Sequence, residues 1–232
     1  MEQQLFIAQN VLFNRRARQL TEENMKIRTI EVSFLQTNCM IIWDESTHNG
    51  IVVDPGAKST KILDAISEEG LKITHILITH GHFDHVGGVK SLQMALREKG
   101  QSPKVCMHGV EKAEMEAGAK KQHENQFFDA DIDLDGEEVL DVGFTKFALI
   151  LVPGHTNYSV CFYNEENQML ISGDTLFYRT IGTSAYYNGP DTDLRENVKN
   201  KVLTLPDETR VYPGHGSVTT IGEEKMMNPF LA

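Results

Sequence analysis

The stretch Thr79 to Gly88 reads THGHFDHVGG and places His80, His82, Asp84 and His85 within six positions. Imidazole and carboxylate together suit zinc, iron or manganese. Four such side chains on one turn point to a metal-wrapping loop rather than an ordinary polar one. Gly81 can take backbone angles closed to other residues, and Gly87 and Gly88 allow a tight turn ahead of a helix. The apolar run Ile73 to Thr79 (ITHILIT) reads as a buried strand that delivers this loop to one end of a sheet, where ligands are well positioned.

Three further apolar runs end in a ligand-type residue beside a glycine: Pro153-Gly154-His155, Ser172-Gly173-Asp174 and Pro213-Gly214-His215. A lone histidine after a strand is more often structural than a ligand, but three such ends together with the 80–85 cluster point to several strand ends converging on one site. A fourth end, Asp54-Pro55-Gly56, leaves a carboxylate at a strand tip, because proline and glycine stop the strand.

The elements that must position these residues follow from the apolar periodicity. Strands are expected at 27–34, 38–43 and 50–53, a helix at 59–69 that stops at Gly70, the strand 73–79, a helix from Gly88 to Gly100, and a strand at 104–108. Residues 109–131 are polar and helix-prone at first, then loop-like; a solvated surface helix plus loop is expected there, with a lid as the alternative. Strands at 138–140, 144–152, 159–163 and 168–172 follow, then a helix at 193–203, a strand at 209–212 and a short terminal helix from Gly222. Strand groups in two halves, separated by helices, predict an α/β fold of two sheets packed face to face with helices outside.

At 232 residues the chain can bury a sizeable core as a single large domain, and no linker divides it. A net charge of −11, from 33 acidic and 22 basic residues, argues against nucleic acid as a partner. No apolar run approaches transmembrane length, so no membrane partner is expected. Cys39, Cys106 and Cys161 lie in apolar, strand-like settings and read as reduced core thiols. The basic cluster NRRAR (14–18) follows the first apolar runs, the reverse of a secretory signal, which makes cytoplasm the default.

The order HxHxDH, then Gly-His, Gly-Asp and Gly-His resembles the metallo-β-lactamase superfamily over about residues 25–230. Within it, VVDPG (52–56), VPGHT (152–156), GDTLF (173–177) and YPGHG (212–216) are similar to the glyoxalase II, or hydroxyacylglutathione hydrolase, branch. The resemblance implies a four-layer αββα sandwich with a two-metal centre. It implies that His80, His82 and His155 hold one metal, that Asp84, His85 and His215 hold the other, and that Asp174 bridges them. Asp54 resembles a carboxylate that orients a ligand histidine. Two transition-metal ions are implied, zinc first and iron or manganese as alternatives. The implied chemistry is hydrolysis of a small thioester by a metal-bridging hydroxide, with Asp84 as the catalytic carboxylate.

The resemblance is to a short form, since a helical glutathione-gripping domain is expected after Asn228-Pro229-Phe230 and only Leu231 and Ala232 follow here. After Gly182 stands Thr183 where that branch usually has a basic residue. Tyr186 and Tyr187 are candidates to line the substrate pocket instead, and Lys120 or Lys121 to supply the charge. The domain reading is an N-terminal extension, 1–24, dispensable for the metal site and with a homodimer contact as one role, followed by a hydrolase domain, 25–232. Rival readings are a persulfide dioxygenase-like enzyme with a single iron, another hydrolase of the same fold acting on a lactone or phosphodiester, and a non-catalytic metal-binding scaffold. Flavodiiron-type electron transfer is disfavoured, because that branch resembles HxExDH and His82 stands in the glutamate position.

Overall fold

The computed structural model describes residues 24–122, 127–183 and 194–232. The extension 1–24, apart from Asn24, lies outside the described residues, as do Tyr186, Tyr187 and the side chains of Lys120 and Lys121.

The first sheet runs in sequence order: β1 (Met25–Val32), β2 (Thr37–Asp44), β3 (Asn49–Val53), β4 (Lys72–Leu77), β5 (Lys104–Met107) and β6 (Ile132–Asp133). The first three strands are antiparallel neighbours, whereas β3 to β6 are parallel and need helical crossovers. The second sheet contains β7 (Val139–Asp141), β8 (Lys146–Leu151), β9 (Val160–Asn164), β10 (Met169–Gly173), β13 (Arg210–Pro213) and β14 (Thr219–Thr220) in the order β14-β13-β10-β9-β8-β7; β11 (Leu176–Phe177) and β12 (Thr180–Ile181) form a separate small hairpin.

Side-chain alternation on the strands produces the layering. On β2, Cys39, Ile41 and Trp43 face a core shared with helices α1 (Thr60–Glu68) and α3 (Val89–Glu98), while Met40 and Ile42 face the second sheet. On β10, Met169 and Ile171 join that inter-sheet core. Leu170 points the other way, toward α5 (Leu194–Asn197), a π-helical turn (Val198–Val202) and α6 (Ile221–Met227). Each fully buried isoleucine or leucine stabilises by roughly 1.5–3 kcal/mol, so three apolar clusters fix four layers, αββα. The three cysteines are free and buried in these cores. Among the described residues no helix is long and apolar enough to cross a membrane.

Several boundaries differ from the sequence expectation. The first strand ends at Val32 and not Phe34, because Ser33 and Gln36 adopt positive φ (64° and 58°) in a hairpin turn. The strand before the histidine cluster ends at Leu77, where the chain turns into the loop that carries the cluster. The expected helix 193–203 is, in its described part, a single α-helical turn continued by the π turn. The polar segment after β5 is α4 (Gly109–Gln122), and it is not simply solvated: Glu111 in its first turn is buried.

The layout brings the strand ends together. In the first sheet β3 and β4 run parallel; in the second, β8 and β10 are both antiparallel to β9, and β13 is parallel to β10. The two sheets are stitched at this edge. Val160 N donates to Thr79 O (2.9 Å), Asn38 N donates to Gly214 O (2.7 Å), and Thr37 forms an isolated bridge with His215.

Candidate metal centre

His80 and His82 emerge from the loop after β4, and Asp84 and His85 lie on the short helix α2 (Phe83–Val86) that follows. His155 follows β8, Asp174 follows β10 directly, and His215 follows β13. All seven side chains converge. His80, His82 and His155 bring ligand atoms within 4.8 Å of one another, as do Asp84, His85 and His215, and a third group of His80, His85 and Asp174 links the two.

The hydrogen bonds on the far side of each ring decide which nitrogen faces inward. Thr79 Oγ1 donates to Asp54 Oδ2 (2.6 Å), so it accepts from His80 Nδ1 (3.0 Å). His155 Nδ1 donates to Thr183 O (2.9 Å), His215 Nδ1 to Leu35 O (3.1 Å), and His85 Nδ1 to Asp54 Oδ2 (2.9 Å). Each of these four rings therefore turns Nε2 to the centre. His82 Nδ1 lies 3.2 Å from His80 Nε2 and 2.9 Å from His155 Nε2. Three imidazole nitrogens this close suit a cation that all three can ligate.

The electrostatics agree with that fit. Burial, and then repulsion from neighbouring imidazoles, holds His80 well below its usual pKa and His82 at about 4; burial also lowers His155. Neutral imidazole is the ligating form. Burial alone would push His85 down, but the Asp54 and Asp174 charges outweigh it and raise its pKa to about 10. Burial would likewise raise Asp174, yet His215 and His85 bring it far below the carboxylate range. His85 Nε2 and Asp174 Oδ1 are 3.3 Å apart, buried, and without a hydrogen-bond partner. Two orphaned atoms facing each other fit a group that accepts lone pairs from both. The donor set fits one or two transition-metal ions.

Backbone contacts hold this arrangement. A Cβ on Gly214 would stand 2.2 Å from Asp174 Oδ1 and 2.7 Å from His85 Cε1, so only glycine lets His215 approach. Asp54 sits at φ 47°, a costly conformation that its bonds to Thr79 and His85 retain.

Sequence reasoning singled out the seven converging residues and Asp54 but missed others. Thr37 Oγ1 donates to Asp84 Oδ2 (2.9 Å), and Thr79 relays between His80 and Asp54. Phe34, 82% exposed, stacks on Phe83 with ring centroids 6.3 Å apart, and Phe177 lies 6.1 Å from the His215 ring. The positions of Phe83 within HxHxDH and of Phe177 at the end of GDTLF were the sequence signals for this aromatic rim.

The metallo-beta-lactamase superfamily model matches residues 32–215. Hydroxyacylglutathione hydrolase GloC of Haemophilus influenzae is 32% identical over 89% of this chain and 98% of its own length. Among solved structures, BLEG-1 B3 metallo-beta-lactamase superposes with a TM-score of 0.79 at 31% identity, covering 89% of this chain and all of that one. TTHA1623 in a di-iron-bound form superposes with a TM-score of 0.73 at 32% identity, over 88% of this chain and all of that one. With its strand ends, ligand-type residues and family match in agreement, the chain belongs to the metallo-β-lactamase superfamily, as a metallo-hydrolase of its glyoxalase II-like branch.

Proposed function

We propose that this protein hydrolyses a small acyl thioester at a two-metal centre. The observation that carries the reading is the pair of three-residue groups, His80/His82/His155 and Asp84/His85/His215, joined through Asp174. The first group would hold one ion and the second the other, with Asp174 between them. Bound there, transition-metal ions supply Lewis acidity, lowering the pKa of a water and polarising a carbonyl. Zinc suits the donors, and the di-iron form of TTHA1623 supports iron as the alternative.

The chain's own side chains then have defined tasks. Burial works against ionisation of Asp84, but His215, His85 and Thr37 keep its carboxyl below the ordinary range. Asp84 Oδ2 accepts from Thr37 and lies 3.6 Å and 3.3 Å from His85 and His215 Nε2, so it is the carboxylate oxygen at the centre, placed to accept a proton during attack on the substrate. Asp54, Thr79, Thr183 O and Leu35 O fix the imidazole tautomers. Phe34, Phe83 and Phe177 offer apolar surface beside the reacting groups. Thr183 supplies no cation after Gly182, so the thiol portion is gripped weakly there, and glutathione is not strongly selected.

The GloC relative supports a thioester substrate. The deciding experiment compares lactoyl thioesters of glutathione and of a truncated thiol under identical metal loading. Both should be cleaved, with kcat/KM within about tenfold, or ~1.4 kcal/mol, of each other. A much larger preference for glutathione would remove the weak-selection part of the reading.

A second reading has one specific observation in its favour. His80, His85 and Asp174 form a two-imidazole, one-carboxylate set of the kind used by mononuclear iron oxygenases. A single bound iron, no thioester cleavage and oxygen uptake on glutathione persulfide would put a persulfide dioxygenase in place of the hydrolase.

A further inference from the structure

Glu111 lies in the first turn of α4, only 4% exposed, and two of its hydrogen bonds among the described residues run to backbone N–H groups beside the converging side chains. Its Oε1 accepts from Gly81 N at 2.9 Å and its Oε2 from Tyr158 N at 3.2 Å. Gly81 is the residue between His80 and His82, and Tyr158 follows His155 by three positions. One carboxylate therefore ties the loop that leaves the first sheet to the loop that leaves the second. These are the two loops that bring the three imidazoles together.

Other contacts hold the clamp in place. A Cβ on Gly81 would meet Met115 Cβ at 2.9 Å and Glu111 Oε1 at 3.2 Å, so the HxH loop lies directly against α4. Asn157 Nδ2 donates to Glu114 Oε2 (2.7 Å), and the His108 ring stacks on Tyr158 at 4.7 Å. Burial works against ionisation of Glu111, and the Gly81 N–H, the Thr156 hydroxyl and the Tyr158 N–H oppose it, so the same hydrogen bonds that join the two loops also hold the carboxylate. The Asp84/His85/His215 group rests on Thr37, Asp54 and Leu35 O, of which Asp54 also reaches His80 through Thr79, whereas the Glu111 bonds run only to the HxH loop and the loop of His155.

We propose that Glu111 is a positioning residue that sets the spacing of His80 and His82 relative to His155, and so tunes the metal affinity of the three-imidazole group alone. The role is independent of which bond the enzyme breaks, but it rests on the two-site reading of the centre.

The test is stepwise Co²⁺ loading of metal-free protein, followed by d–d absorption and chelator competition, in the wild type and in Glu111→Gln. The amide keeps the side-chain volume but replaces one acceptor oxygen with a donor that faces an N–H. A His215→Ala variant identifies the step that belongs to the other group. In Glu111→Gln the three-imidazole step should weaken by about 10–100-fold with a shifted d–d band, while the other step stays within about twofold. Equal weakening of both steps together with a lowered melting temperature, or no change in either, overturns the inference. Should Glu111→Gln not fold, Gly81→Ala takes its place, since it pushes the HxH loop off α4 while leaving the carboxylate intact. Selective loss of the same step supports the inference, and an unaltered step overturns it. A wild type that binds only one Co²⁺ at saturation fails the two-site reading itself, and that outcome is visible before any variant is made.

Discussion

Asp54 Oδ2 accepts from His85 Nδ1 at 2.9 Å, with both side chains buried, and the same oxygen accepts from Thr79 Oγ1 at 2.6 Å. One carboxylate thus orients His85 directly and His80 through a hydroxyl, so it reaches both candidate metal-binding groups from behind. Asparagine tolerates the left-handed backbone that Asp54 adopts at φ 47°, so Asp54→Asn removes the charge and one of two accepting oxygens without straining the backbone. Affinity for the ion held by Asp84, His85 and His215 should fall by about 10–100-fold. Chelator competition measures it; unchanged affinity would show that Asp54 serves only the fold.

The two groups should load with different proton balances. His215 has its pKa raised to about 9 by Asp174 and Asp84, and His85 to about 10, so both rings are protonated at pH 7.5 in metal-free protein. Filling that group must displace these protons, and its affinity rises with pH up to that range. His80, His82 and His155 are shifted the other way and are already neutral, so filling their group releases none. Calorimetry in two buffers of different ionisation enthalpy reads the difference; equal proton release from both steps would refute it.

Stability of the metal-free protein follows from the same shifts. His85 and His215 have folded pKa values above the unfolded value of about 6.5, so their contribution is complete below that pH and is lost as pH rises through 9 to 10. His82 is depressed to about 4, so its contribution is present above about 6.5 and is lost as pH falls through 4. The melting temperature of the metal-free chain should therefore peak near neutral pH. A monotonic profile from pH 4 to pH 10 would mean that other groups dominate.

How far the site was legible depended on whether a residue's type revealed its task. His155, Asp174 and His215 stood out because each follows an apolar run and a glycine, and strand ends of parallel orientation do meet at one edge. Glu111 could not be read this way, because Glu114 and Glu116 on the same helix look identical in sequence, and only the approach of Gly81 and Tyr158 separates it from them. Thr37 and Thr79 were hidden similarly, since a threonine in a strand-like run is as suitable for packing as for a hydroxyl relay. In the fold, β11, β12 and β14 have two residues each, too short to show alternation. The two packed sheets were legible because strand groups fall in two halves separated by helices, and the four layers followed from the family resemblance; β2 and β10 bury both faces accordingly.

The aromatic rim should act on substrate binding more than on chemistry. Phe34 is 82% exposed beside Phe83, a position that contributes little to the core, so Phe34→Ala should leave the melting temperature nearly unchanged. Loss of apolar contact with a bound acyl or thiol group should raise KM by about 5–30-fold with kcat retained, equivalent to about 1–2 kcal/mol. A fall in kcat with KM unchanged would place Phe34 in the chemical step instead.

Asp84→Asn separates the proton-accepting role from the structural one. Its Oδ2 accepts from Thr37 Oγ1 at 2.9 Å and lies 3.3 Å from His215 Nε2, so one oxygen both anchors the side chain and faces the centre. Asparagine keeps the volume and one acceptor oxygen but lacks the charge and the basicity. Turnover should fall by about 100-fold or more, the scale of a lost base or electrostatic contribution. Because the anchoring bond can be made by the amide oxygen, the melting temperature of the variant should stay close to wild type. Metal content must be measured on the same sample: full loading with low turnover identifies Asp84 as a participant in the reaction, loss of one ion reduces its role to holding that ion, and near-normal turnover removes it from the mechanism.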